Sequence, residues 1–154
     1  MTQHLRRGSG LSLAALLMGA LVAPSCGGSS TGGGPTDGTG QPTRSTISEH
    51  SWALDPLQIF IADLNVTGTG SATLDATAEW TFASDDVDLF VTAQACTEEM
   101  FIGDRCAFKT KADSATAKPE RVSFSVSAND TYRFWIVNFG PQRESGTFVA
   151  TLTR

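Results

Sequence analysis

The chain has 154 residues, with 11 Lys and Arg against 16 Asp and Glu and three cysteines. That length holds one domain, and less once any leader or linker is set aside. The formal net charge of −5 excludes the basic footprint that nucleic acid requires and an electrostatic grip on anionic lipid, while saying nothing about fold.

The first element is a leader. Arg6 and Arg7 give a positive start, and the Gly8-Ser9-Gly10 that follows does not suit a twin-arginine export signal. Leu11 to Val22 is an apolar run of about a dozen residues, below the ~18 that cross a bilayer, so residues 1–25 read as a signal peptide. Ala23 and Ser25 suit ordinary signal peptidase. Cys26 directly after Ser25, with Gly27-Gly28-Ser29-Ser30 behind it, instead resembles the lipobox of bacterial lipoproteins, with Ala23 where that motif usually has Leu. Parity favours the second reading: with Cys26 acylated, Cys96 and Cys106 remain as a pair in an oxidising compartment. The alternative is a soluble secreted chain with one free thiol. No Asp follows Cys26, which by analogy with sorting rules points to the outer membrane. Without residues 1–25 the chain loses two of its 11 basic residues and none of its 16 acidic ones, leaving −7.

Residues 26–47 read as a flexible linker. Seven glycines stand from Gly27 through Gly40, mixed with Ser, Thr and Pro. Such a segment buries too little to offset its ordering entropy, and about 20 residues of flexible coil span roughly 25 Å r.m.s.. The Gly-Lys-Ser/Thr ending of a phosphate loop is missing.

Residues 48–154 have strand texture. Leu57 to Asp63 is a predicted first strand after Pro56, and Gly68-Thr69-Gly70 a turn. Ala72 to Phe82 alternates with period two, placing Leu74, Ala76, Ala78, Trp80 and Phe82 on one face. Ser84-Asp85-Asp86 turns the chain into a strand from Val87 to Ala95. Between Cys96 and Cys106, Thr97 and two glutamates suit the cap of one helical turn that Gly103 ends. A disulfide here closes a loop of about 11 residues, worth roughly 2–3 kcal/mol in the chain-entropy model. The spacing is far from Cys-x-x-Cys, so a staple is expected rather than a redox pair. Phe108 to Lys111 suits an edge strand guarded by Lys109 and Lys111. Arg121 to Ala128 alternates again, Tyr132 to Phe139 is apolar on both faces, and Gly146 to Thr153 closes the domain. Six or seven short strands with no long helical pattern predict an all-β, antiparallel β-sandwich of jelly-roll-like kind.

Trp80, the run Ser84-Asp85-Asp86-Val87-Asp88-Leu89-Phe90-Val91, Val122 to Val126 and Asn129-Asp130-Thr131-Tyr132 together resemble the bacterial pre-peptidase C-terminal domain. The likeness covers Leu57 to Arg154. It departs at Asn129-Asp130, where the family usually has Pro/Ala-Gly, and in the absence of a preceding protease. The resemblance implies a jelly-roll-like, non-catalytic module, often attached to secreted enzymes and sometimes calcium-binding or matrix-binding.

Asp85, Asp86 and Asp88 are the candidate metal ligands, since calcium takes several hard oxygens; against this, three acids on a turn also suit backbone bonding. Asp63 or Glu79 would add a fourth ligand if pairing brought them near. Trp52 and Trp135, with Phe90 and Tyr132, are candidates for an aromatic platform for sugar or peptide, with core packing as the commoner fate. No enzyme is expected. His50 is the one histidine left in the mature chain, and there is no Gly-x-Ser-x-Gly elbow or His-rich zinc pattern. The sequons at Asn65 and Asn129 read as chance. The expected function is a lipid-anchored binding or structural module of the cell envelope. Its partners would be the membrane, through the lipid, and an envelope polysaccharide or protein. A calcium-dependent adhesion or glycan-binding domain, or an accessory to a secreted hydrolase, are the alternatives.

Overall fold

The computed structural model describes residues 41–154; the leader, Cys26 and the linker through residue 40 lie outside the described residues. Eight strands run β1 (Arg44–Leu54), β2 (Ile59–Asn65), β3 (Ser71–Trp80), β4 (Val87–Ala93), β5 (Phe108–Ala112), β6 (Glu120–Ser127), β7 (Thr131–Asn138) and β8 (Glu144–Thr153). One short helix, α1 (Glu98–Ile102), falls between β4 and β5.

All ladders are antiparallel. β1 pairs with β8, β2 with β7, β3 with β6 and β4 with β5. These pairs are nested, so the domain is one long ribbon folded at the β4–β5 end. Rolling the ribbon adds β3 to β8 and β4 to β7. The result is two sheets ordered β1-β8-β3-β6 and β2-β7-β4-β5, the arrangement of a jelly-roll sandwich.

Alternation decides what faces inward. On β3, Ala72, Leu74, Ala76, Ala78 and Trp80 are buried while most residues between them are not. They meet Leu89 and Val91 of β4, Phe134 and Ile136 of β7 and Phe148 of β8 in one core. The alanines have a steric reason: Ala78 lies directly opposite Phe148, whose ring centroid is 5.0 Å from that of Phe134. Gly146 answers a similar constraint. A Cβ there would stand 1.8 Å from the Glu79 carbonyl oxygen and 2.5 Å from the Trp52 ring, so β8 crosses β3 only with glycine at that point.

Two expectations are corrected. Arg44 to Ile47, given to the linker by composition, are the start of β1, a strand that sequence reading missed altogether. Only Trp52 and Leu54 of β1 are buried; backbone pairing to β8 holds the rest, and pairing leaves no mark on a polar edge strand's composition. Phe82, expected inward, is exposed. β3 stops at Trp80 because the fully buried carboxylate of Glu144 accepts the backbone N–H groups of Thr81 (2.9 Å) and Phe82 (3.0 Å). A side chain there replaces the ladder and the alternation ends with it.

Candidate functional site

The outer face of the β2-β7-β4-β5 sheet carries the site. After β4 the chain leaves the sheet at Ala93 and forms α1. Thr97 caps it, its Oγ1 accepting the Met100 amide at 3.3 Å, and the Gly103 N–H donates to the Glu99 carbonyl at 3.1 Å. Five residues cannot hold a helix by themselves. Two tertiary contacts fix it. Cys96 and Cys106 are joined by a disulfide that closes the excursion. Phe101 stacks flat on Trp135 of β7, with centroids 4.3 Å apart and planes at 7°. Trp135 is itself held from below, its Nε1–H donating to Thr92 Oγ1 at 2.9 Å.

Arg133 finishes the support. Its guanidinium forks onto Asp63 of β2 at 2.6 and 2.7 Å, donates to the Cys96 carbonyl at 2.8 Å and lies over the Trp135 ring. The Arg133 hydrogen bonds hold the Asp63 carboxyl below the usual carboxylate range.

Beside α1 a groove of about 390 Å³ opens to solvent. Phe90, Phe101, Phe108 and Phe139 form its aromatic wall, and Leu57, Ile59, Ile102 and Val137 its aliphatic one. Asp104 is the single charged residue in the lining. Leu57 is 73% exposed and Ile102 69%, a large apolar outlay for a surface. Leu57 (φ 65°) and Asp104 (φ 52°) both sit in the left-handed region, which disfavours non-glycine residues. Each is clamped: Leu57 N–H donates to the Asn138 carbonyl at 2.7 Å, and Asp104 N–H to the Phe101 carbonyl at 3.1 Å. A neighbouring hollow shares Leu57, Ile59 and Ile102 with the groove and carries Glu98 at its edge. These walls offer little hydrogen bonding, so the groove suits an apolar side chain better than a sugar, whose hydroxyls need convergent polar groups. A hollow on the opposite sheet, among Arg44, Asp75 and Arg121, has charges of both signs and no comparable apolar wall.

Acidic residues gather at the β3–β4 turn. Asp85 is 3% exposed, and neither of its carboxylate oxygens has a hydrogen-bond partner among the described residues. The same holds for Oδ1 of Asp86 and of Asp88. The carboxyl of Asp85 packs against Gly140, whereas Asp88 lies in the field of Asp86, Asp113 and Glu120. Burial first, then those three carboxylates, push Asp88 up to about 7, and burial also raises Glu120. Orphaned hard oxygens suit a divalent cation. Among the described residues, however, no three acidic, His or Cys side chains converge as a metal-holding group. Asp63 is taken by Arg133, and Glu79 is exposed on β3.

Trp52 and Trp135 do not form an exposed platform. Trp52 is 5% exposed, turned inward at the end of β1 against Gly146, and Trp135 is fully buried beneath Phe101. The aromatic surface exists, but Phe90, Phe101, Phe108 and Phe139 supply it. The signal that marks it in the sequence is Met100-Phe101-Ile102, an apolar triplet inside an otherwise polar disulfide loop. His50 is exposed on β1.

No family model and no curated protein matches the chain. Among solved structures the chain is similar to Aeromonas hydrophila PliG, a periplasmic lysozyme inhibitor of g-type lysozyme. That match has 9% identity over 70% of this chain and 85% of that one, with a TM-score of 0.45. It is similar also to the pre-peptidase C-terminal domain of a Bacillus anthracis collagenase, 6% identical over 68% of this chain and 88% of that one, TM-score 0.44. The VP2 subviral particle of infectious bursal disease virus matches at 7% identity over 73% of this chain and 33% of that one, TM-score 0.44. None of these values reaches the level at which a ligand or a site carries over.

Proposed function

We propose that the chain is an exported, lipid-anchored, non-catalytic binding module of the cell envelope, held at the outer membrane, whose working surface is the groove beside α1. One observation carries the reading: exposed large apolar side chains and two left-handed backbone residues meet at one groove. Such exposure and strain cost stability and persist where a surface is selected for contact. The disulfide fits an oxidising compartment outside the cytoplasm. The parity of the cysteines and the residues around Cys26 support the anchor. The strand pattern's resemblance to the pre-peptidase C-terminal domain is in keeping with a non-catalytic role.

The test is site-specific photocrosslinking of the full chain in its own cells, with a benzophenone amino acid replacing Ile102 or, on the opposite sheet, Thr77. The reading expects an adduct to an envelope component from position 102 and none from 77. Equal adducts from both, or none from 102, overturn it.

A second reading, calcium-dependent binding, has its own observation: the partnerless buried oxygens of Asp85, Asp86 and Asp88. In that reading Asp86 and Asp88 would hold the ion, and its charge would offset the repulsion from Asp113 and Glu120. Glycan adhesion is the less favoured variant, because the groove lacks polar groups to read hydroxyls.

A further inference from the structure

The groove beside α1 and the neighbouring hollow form one track, because Leu57, Ile59 and Ile102 line both. The charges along that track are of one sign. Asp104 lines the groove and Glu98 the hollow, one at each end of α1. Neither is in an ion pair among the described residues. Of the cations nearest in sequence or on the same sheet, Arg105 pairs with Glu99, Lys111 with Asp113, Arg133 with Asp63 and Arg143 with Asp55, while Lys109 of β5 lies over the Phe124 ring. The track is therefore an apolar trough with a free carboxylate at either end.

We propose that this track receives an extended segment of a protein partner in which one or two apolar side chains are flanked on both sides by Lys or Arg. The proposal rests on the binding reading above and adds the chemistry of the partner. The apolar residues fill the space between Phe101, Phe139 and Ile102, while the flanking cations meet Asp104 and Glu98. Other occupants fit less well. An anionic lipid surface, or a second copy of a chain with 16 acidic and 11 basic residues, would bring like charge to the same rim. A sugar would leave its hydroxyls unpaired against phenyl and alkyl walls.

The experiment titrates the full isotope-labelled chain with three capped tetrapeptides, Lys-Phe-Leu-Lys, Glu-Phe-Leu-Glu and Lys-Ser-Ser-Lys, at low salt, and reads backbone amide shifts. Lys-Phe-Leu-Lys is expected to shift Leu57, Ile102 and Phe139, and to bind about tenfold more tightly than Glu-Phe-Leu-Glu, as two solvated ion pairs allow. Lys-Ser-Ser-Lys should bind more weakly than either. Doubling the variant Asp104→Asn with Glu98→Gln should bring the two Phe-Leu peptides to equal affinity; Asn keeps the left-handed backbone at 104 comfortable, so the groove survives. Ile102→Ser, at an exposed position, should weaken both Phe-Leu peptides.

Equal binding of the two Phe-Leu peptides to the native chain overturns the charge selection and leaves the groove as the working surface. Shifts confined to the opposite sheet overturn the inference and the binding reading together. Groove shifts with chitin fragments or phosphatidylglycerol vesicles, with Lys-Phe-Leu-Lys inert, overturn the inference alone.

Discussion

Asp88 is where burial and charge are hardest to reconcile. An unfolded chain gives up this proton near 3.8, whereas the folded one keeps it to about 7. The causes are burial first, then Asp86, Asp113 and Glu120, with Lys111 opposing them weakly. Between those two values the folded state binds more protons than the unfolded one, so this residue makes stability fall as pH rises through the window. Asp88→Asn should therefore raise Tm at pH 8 by a few degrees, at about 4 °C per kcal/mol relieved, and leave it almost unchanged at pH 4. In the calcium reading, millimolar calcium at pH 8 does the same for the native chain and nothing for the Asp86→Asn, Asp88→Asn pair. A lowered Tm for Asp88→Asn at pH 8 would mean that the ionised carboxylate has a stabilising partner and would contradict the repulsion. At this scale the sequence was half legible. Asp85, Asp86 and Asp88 announce themselves as a run, but Asp113 and Glu120 reach them only through the β5–β6 connection, which no local pattern reveals. Core packing was the commoner fate expected of Trp52 and Trp135, and both are buried; what covers Trp135 was not legible, because a strand residue's surroundings depend on what packs on the far side of its sheet.

Among the elements, α1 depends most on its surroundings. Its cap and stop are written in Thr97 and Gly103, yet its position comes from the staple and from the Phe101–Trp135 stack. Replacing both Cys96 and Cys106 by Ser should cost about 2–3 kcal/mol by the chain-entropy account, leaving the sheets folded. The groove should suffer more than the fold. Phe101, Ile102 and Asp104 all lie inside the closed loop, so the photoadduct from position 102 should drop severalfold in the double variant. An unchanged adduct alongside a lowered Tm would show that the aromatic stack alone positions α1. Strands with a buried stripe (β3, β6, β8) were legible from alternation, and β7 from a run apolar on both faces. β1 was not, for its residues report solvent on both sides until Trp52.

At the scale of the whole molecule, the proposed lipid anchor at Cys26 makes a prediction of its own. Changing Cys26 to Ser should move the protein from the membrane to the soluble fraction of the envelope while the domain's Tm stays within about 1 °C, a test read by fractionation and calorimetry. Continued membrane residence would point to a different anchor. The class of fold was legible because period-two alternation recurs between turns. The strand order was not, since alternation says which face a strand buries and not which strand it joins.

The nested pairing has a consequence for the order in which the domain closes. β8, the last strand of the domain in chain order, occupies the place between β1 and β3. Until it pairs, β1 has no neighbour to bond with, and that sheet is missing its middle. That sheet therefore closes only when Glu144–Thr153 is in place, a pairing of high sequence separation that slows folding.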